Sequence, residues 1–255
     1  MSTDAPPRSL SEWFAAAPLG RYLLAREQAY YDTAVVDVFG FHALQFGLPE
    51  HDFLRTSRIP HKCRIAHDGA AELRADYRDL PLAGNSVDLL LLPHVIEFHP
   101  DPHQILREVQ RVLVPEGQVV IAAFNPWSLW GVRRRFNRTA GAYPWCGRFI
   151  NLPRLKDWLA LLGFEIAAGR MCCYVPPCTQ DKWLTRLHLL EPAGDRWWPV
   201  AGGAYFLRAI KRVRGMRVIV PQRNERLAPK KRLAPVPEKV AARDETLAVR
   251  ETSDA

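Results

Sequence analysis

Residues 76–125 read DYRDLPLAGNSVDLLLLPHVIEFHPDPHQILREVQRVLVPEGQVVIAAFN, and the pattern in this stretch decides the fold class. Two apolar runs, Val87–Leu92 and Val119–Phe124, are short, apolar at consecutive positions and bounded by turn signals. Strands buried on both faces have that composition, and sheets buried on both faces are usually parallel. Between the runs the spacing predicts a helix. Asp101 stands at its N-cap and Pro102 at the first helical position, where a missing N–H costs nothing. Ile105, Leu106, Val109, Val112 and Leu113 form one apolar stripe, and Gly117, with Pro115 just before it, is expected to end the helix. Strand, crossover helix and strand make a right-handed βαβ unit. The expected fold is α/β: a doubly wound, Rossmann-like, mostly parallel sheet.

Composition bounds the rest. A chain of 255 residues, 48% of them hydrophobic, buries one full core with appendages. No apolar run approaches the roughly 20 residues of a membrane span. The opening MSTDAPPRSLSEW lacks the apolar core of a signal peptide. The cysteines are odd in number: Cys63, Cys146, Cys172, Cys173 and Cys178. Adjacent Cys172 and Cys173 suit strand packing, and with Cys178 they match no zinc spacing, so a reducing, cytoplasmic setting is expected.

Around the central unit three segments are expected: an N-terminal helical cover over 1–40, the sheet domain over 41–220, and a disordered basic tail over 221–255. Ser9 and Glu12 have capping-box spacing, and helical periodicity runs over about 20–38. The aromatics Trp13, Phe14, Tyr22, Tyr30 and Tyr31 pack on the sheet or help wall a pocket. His42–Phe46 reads as the first strand, with Lys62–Ala66 and Ala71–Arg74 as short strand pieces. Leu152–Leu162 reads as a helix stopped by Gly163. Phe164–Ala168, Met171–Val175 and Ala204–Ile210 are strand-like, with Met216–Val220 as an extension. Residues 176–203 read as an irregular insertion.

The pattern Asp76-x3-Leu80-Pro81-Leu82-x3-Ser86-Val87-Asp88 resembles, at every spacing, that of class I S-adenosylmethionine-dependent methyltransferases of the small-molecule type. The resemblance continues through His99-Pro100-Asp101-Pro102 and Leu106-x-Glu108-x2-Arg111-Val112-Leu113-x-Pro115-x-Gly117, and resumes over Leu155–Phe164. It implies S-adenosylmethionine as cofactor and a binding site beyond the carboxyl ends of the strands, at the switch point of the sheet. By the same resemblance, Asp76 accepts a hydrogen bond from the adenine amino group with Tyr77 beside it. The turn Leu92-Pro93-His94 lies beneath the methionine portion. The glycine turn after the first strand corresponds to Gln45-Phe46-Gly47. Here the chain departs from the family: Gln45 replaces the acid, and Pro49 and His51 stand where further glycines are usual, which is expected to crowd the cofactor path.

Other candidates are weaker. His94, Glu97, His99 and His103 follow a strand end; they read as polar residues on a pocket rim, with His94 or Glu97 as a general base, and no metal site is expected. Between Arg208 and Arg232 ten bases face one acid, Glu225, which with Arg133–Arg135 is expected to form a solvated basic edge and tail. The net charge of +8 leaves RNA or an anionic lipid surface as a partner. The reading is a methyltransferase acting on an unidentified small-molecule acceptor, with no catalytic base assigned. Its rivals are an inactive methyltransferase-fold binding module and an RNA-associated methyltransferase.

Overall fold

The computed structural model describes residues 7, 9–67, 71–136, 142–178, 180–187 and 190–213. Met216–Val220 and the basic tail from 221 lie outside the described residues.

The opening helices form for local reasons. Ser9 accepts a hydrogen bond from the Glu12 amide and starts α1 (Leu10–Ala16), and Pro18 at the first turn starts α2 (Pro18–Ala34). Leu19, Leu23, Glu27 and Tyr31 recur every fourth residue and make the buried face of α2. Then come β1 (His42–Phe46), β2 (His61–Ala66), β3 (Leu73–Arg74), β4 (Val87–Pro93), α3 (Val95–Phe98) and α4 (Pro102–Val112). They are followed by β5 (Leu113–Phe124), α5 (Leu129–Phe136), α6 (Leu152–Leu161), β6 (Phe164–Cys172), α7 (Asp181–Arg186), α8 (Leu190–Trp197) and β7 (Ala204–Lys211).

The seven strands lie in the order β3-β2-β1-β4-β5-β7-β6. The first five are parallel, and β7 runs antiparallel to both β5 and β6. The chain winds outward from β1 to β3 and returns to place β4 on the other side of β1, so the switch point falls between β1 and β4. One hydrophobic cluster joins α1, α2 and residues 48–59 to one face of the sheet; a second lies under α4 and α6 on the other. Between β1 and β2 no helix forms among the described residues, and Phe53, Leu54 and Ile59 drop into the cluster that α2 covers.

Several elements differ from the sequence expectation. α4 ends at Val112, five residues before Gly117, because Leu113 already pairs with Val87 at the start of β5. Nζ of Lys211 fixes that end, donating to the carbonyls of Gln110 and Leu113 at 2.7 and 2.6 Å and to Asn85 Oδ1 at 2.8 Å. β6 is one bulged strand rather than two, with the register shifting between Ile166 and Ala168. Residues 176–203 carry α7 and α8 rather than an irregular path. Trp13, Phe14 and Tyr31 belong to the core and do not line the cavity at the switch point.

Candidate functional site

At the carboxyl ends of β1 and β4 the two strands diverge into turns that need left-handed backbone. Gly47 has φ +68° and Leu48 φ +47° after β1; His94 has φ +53° after β4. Gly47 suits this backbone, and a Cβ there would lie 3.3 Å from Val95 Cγ2, tighter than ordinary packing. Between the turns opens a cavity of about 430 Å³. It is lined by Gly47, Pro93 and His94 of the two turns, by Tyr77 and His67, and by Ser9–Ser11 of the N-terminal segment. The volume lies in the range of small-molecule and cofactor sites.

Gln45 organises the first turn. Its side chain is fully buried, and Nε2 donates to the carbonyls of Gly47, Leu48 and His51 at 3.2, 3.1 and 2.7 Å, while Oε1 accepts from the Phe53 amide at 3.0 Å. A carboxylate could not fill this position, because three of the four partners are acceptors. The loop thus turns its carbonyls inward onto Gln45. His51, at another glycine position, points into the core against Phe14 and Phe53 and does not line the cavity. Pro49 does line it, and the space remains open.

Beneath His94 lies a buried charge network. Nε2 is 2.5 Å from Glu27 Oε1 and Nδ1 is 3.0 Å from Glu97 Oε2, and all three side chains are fully buried. Burial alone would drive the proton off the ring; Glu27 and Glu97 outweigh it and raise the His94 pKa well above the ordinary imidazole value. The second oxygen of Glu97 accepts the Phe124 amide at the end of β5. His94 therefore has no lone pair for a general base, and Glu97 is committed to two partners. The Glu27 Oε2, Tyr31 hydroxyl and His51 Nε2 atoms are buried without a hydrogen-bond partner among the described residues.

The other expected residues divide. Phe46 is buried and stacks on Tyr77 at 5.0 Å, which sets the ring of Tyr77 in the wall; Leu92 is core. Asp76 does not line the cavity. It is half-exposed and holds Arg78 through both oxygens at 2.6–3.1 Å, which keeps its carboxyl well below the usual range. One ligand atom each of His67, Asp76 and His99 falls within 4.8 Å of the others at the cavity edge. His99 Nδ1 accepts the Asp101 amide at 3.2 Å, and Asp76 pairs with Arg78. His103 stands apart, packed on Trp158 at 4.0 Å. Cys172 and Cys173 are buried thiols, and burial pushes Cys173 up.

Most residues of the long sequence pattern are structural. Glu108 Oε1 accepts the Leu80 amide at 2.9 Å and pairs with Arg111, whose guanidinium donates to the carbonyls of Leu80 and Leu82. They clamp the segment after Asp76 to α4. Missed by the sequence reading was Glu27: its place on the buried face of an apolar helix was the available signal.

The pattern of a family described as a methyltransferase domain matches residues 57–121. The Escherichia coli protein YafS, itself uncharacterised, is 37% identical over 131 residues, covering 51% of this chain and 55% of its own length. A malonyl-[acyl-carrier protein] O-methyltransferase of Methylovorus is 34% identical over 91 residues, 36% of this chain and 30% of that protein. The chain thus spans about half or less of the length of these curated relatives. Among solved structures, an S-adenosylmethionine-dependent methyltransferase of Archaeoglobus fulgidus superposes with TM-score 0.55 at 16% identity, over 79% of this chain and 97% of that one. One of Thermotoga maritima gives 0.53 at 17%, over 75% and 93%. Residues 57–121 thus carry the pattern of a methyltransferase domain, and the sheet has the fold of S-adenosylmethionine-dependent methyltransferases.

Proposed function

We propose that the chain transfers a methyl group from S-adenosylmethionine to a small-molecule acceptor, with the cofactor held in the cavity between Gly47 and His94. The observation that carries this reading is an open cavity of about 430 Å³ at the switch point of a methyltransferase sheet. When bound, the cofactor supplies a sulfonium methyl that passes to an acceptor nucleophile, leaving a neutral thioether and releasing the acceptor's proton to solvent.

The chain's own groups would act by binding and orientation, which supply much of the rate in such a transfer. Gly47, without a side chain, lets the ligand approach the backbone. Tyr77, braced by Phe46, offers a flat face to the adenosine part, with Asp76 turning from Arg78 to the adenine amino group. That exposed pair is cheap to open. The turn at Pro93 and His94 supports the methionine part, held by the Glu27–His94–Glu97 network. Ser11 donates to Glu50 at 2.7 Å, so the N-terminal segment closes one rim of the cavity. Among the described residues no helix is long and apolar enough to cross a membrane.

Isothermal titration with S-adenosylhomocysteine tests the reading. Micromolar binding, weakened by Gly47→Val, is expected. No heat at millimolar ligand would leave only a methyltransferase-fold binding module.

A further inference from the structure

A second cavity, of about 400 Å³, opens beside the first and shares His99 with it. Its lining is unusual in charge. Arg135, Arg148 and Arg154 face it from three separate segments, and no Asp or Glu lines it. Among the described residues none of the three makes an ion pair. The imbalance extends along the chain: between Glu116 and Asp157 the sequence holds no acid, but six arginines and Lys156. Three guanidinium groups around one concavity, without counter-charge, form a positive potential that solvent alone must screen.

Apart from His99 and Asn151, the rest of the lining is apolar and includes three aromatic rings, Trp127, Phe149 and Trp158. Trp127 is 77% exposed, so its indole is offered to whatever enters. Trp158 lies under the Arg154 guanidinium, 5.1 Å from its centroid, and Phe149 is fixed by stacking on Phe124 at 4.9 Å. The segment that carries Arg148 is docked on the cofactor side, its amide donating to the Glu97 carbonyl at 2.8 Å. Arg148 is thereby tied to the turn that follows His94.

Resting on the methyl-transfer reading above, we infer that this cavity takes the methyl acceptor, and that the acceptor is a small organic anion. Its carboxylate or phosphate meets the arginine fork, whose planar geometry suits either group in a bidentate pair. Its apolar, ring-sized body lies between Trp127 and Trp158. The side next to His99 faces the cofactor cavity.

Quenching of tryptophan fluorescence at constant ionic strength tests the inference, with phenyl phosphate, benzoate and uncharged benzyl alcohol as probes. Saturable binding of phenyl phosphate, benzoate or both is expected, at least ~10-fold tighter than benzyl alcohol. Which anion binds identifies the phosphate or carboxylate source. Arg148→Gln with Arg154→Gln should weaken it ~10-fold or more while leaving the melting temperature unchanged, because both side chains are exposed. Equal binding of the alcohol, no binding of either anion, or indifference to the two substitutions overturns the inference. So does far tighter binding of a single-stranded RNA oligomer through the same arginines, which would make the surface a polyanion track. S-adenosylhomocysteine titrated on the same samples separates the two readings. Cofactor binding without anion binding removes only the acceptor assignment; anion binding without cofactor binding removes the methyltransferase activity.

Discussion

Nε2 of His94 lies 2.5 Å from Oε1 of Glu27, 67 positions earlier in the chain, and the pair joins α2 to the turn at the end of β4. With Glu97 on the other ring nitrogen, one cation is buried between two carboxylates. Replacing His94 by Gln leaves both carboxylates without a counter-charge, which costs about 3–5 kcal/mol. The linkage has a definite sign. The folded-state pKa of His94 is raised from 6.5 to about 10, so its contribution is complete below pH ~6.5 and fades as pH rises towards 10. Denaturant melts should show the wild-type advantage over His94→Gln shrinking across that window. A constant difference would mean that the ring is neutral.

Restoring an acid at position 45 should harm this chain. Gln45→Glu replaces an amide that donates to three carbonyls with a group that only accepts. The expected loss is about 3 kcal/mol, from buried acceptors set against one another. Hydrogen exchange at the Phe53 amide, which Gln45 holds, should accelerate. A melting temperature equal to wild type would show that the loop re-forms with its N–H groups inward.

Asp76 separates affinity from stability. Its partnership with Arg78 is on the surface, so Asp76→Asn should leave the melting temperature unchanged. If Asp76 recognises the adenine amino group, S-adenosylhomocysteine should bind several-fold more weakly, since a neutral amide oxygen accepts less strongly than a carboxylate. Calorimetry checks both quantities on one sample. Unchanged affinity would assign Asp76 to the Arg78 contact alone.

Lys211 is a fourth test. Its ammonium satisfies the carbonyls of Gln110 and Leu113 where α4 gives way to β5. Lys211→Met keeps the stem and strips the donors, costing about 2 kcal/mol. Protection of the last turn of α4 against hydrogen exchange should fall with it.

The architecture was legible because the apolar runs and the Asp101–Pro102 helix start are local signals, and the strands built on Val87–Leu92, Val119–Phe124 and His42–Phe46 form where those signals fall. What was illegible depends on partners distant in sequence. The end of α4 is decided by Val87 pairing with Leu113, against the local expectation that Gly117 would stop the helix. Gln45 reads as a lost acid until the inward carbonyls of the loop are seen. Glu27 looks like one polar residue on an apolar helix face, and only the fold brings His94 to it. The turns at Gly47 and His94 could be placed from the resemblance, but the position of the Asp76 side chain depends on Arg78, two residues on, which the family pattern does not specify.

The stacking of Tyr30 on Phe206, with ring centroids 4.0 Å apart, binds α2 to the last strand described. During synthesis α2 leaves the ribosome before β7, and its docking surface is unfinished until β7 has been made. β7 also lies between β5 and β6, so the earlier-made β6 has no neighbour before it arrives. Translation order and assembly order therefore run opposite to one another, and a nascent chain stalled before Ala204 would expose the apolar face of α2.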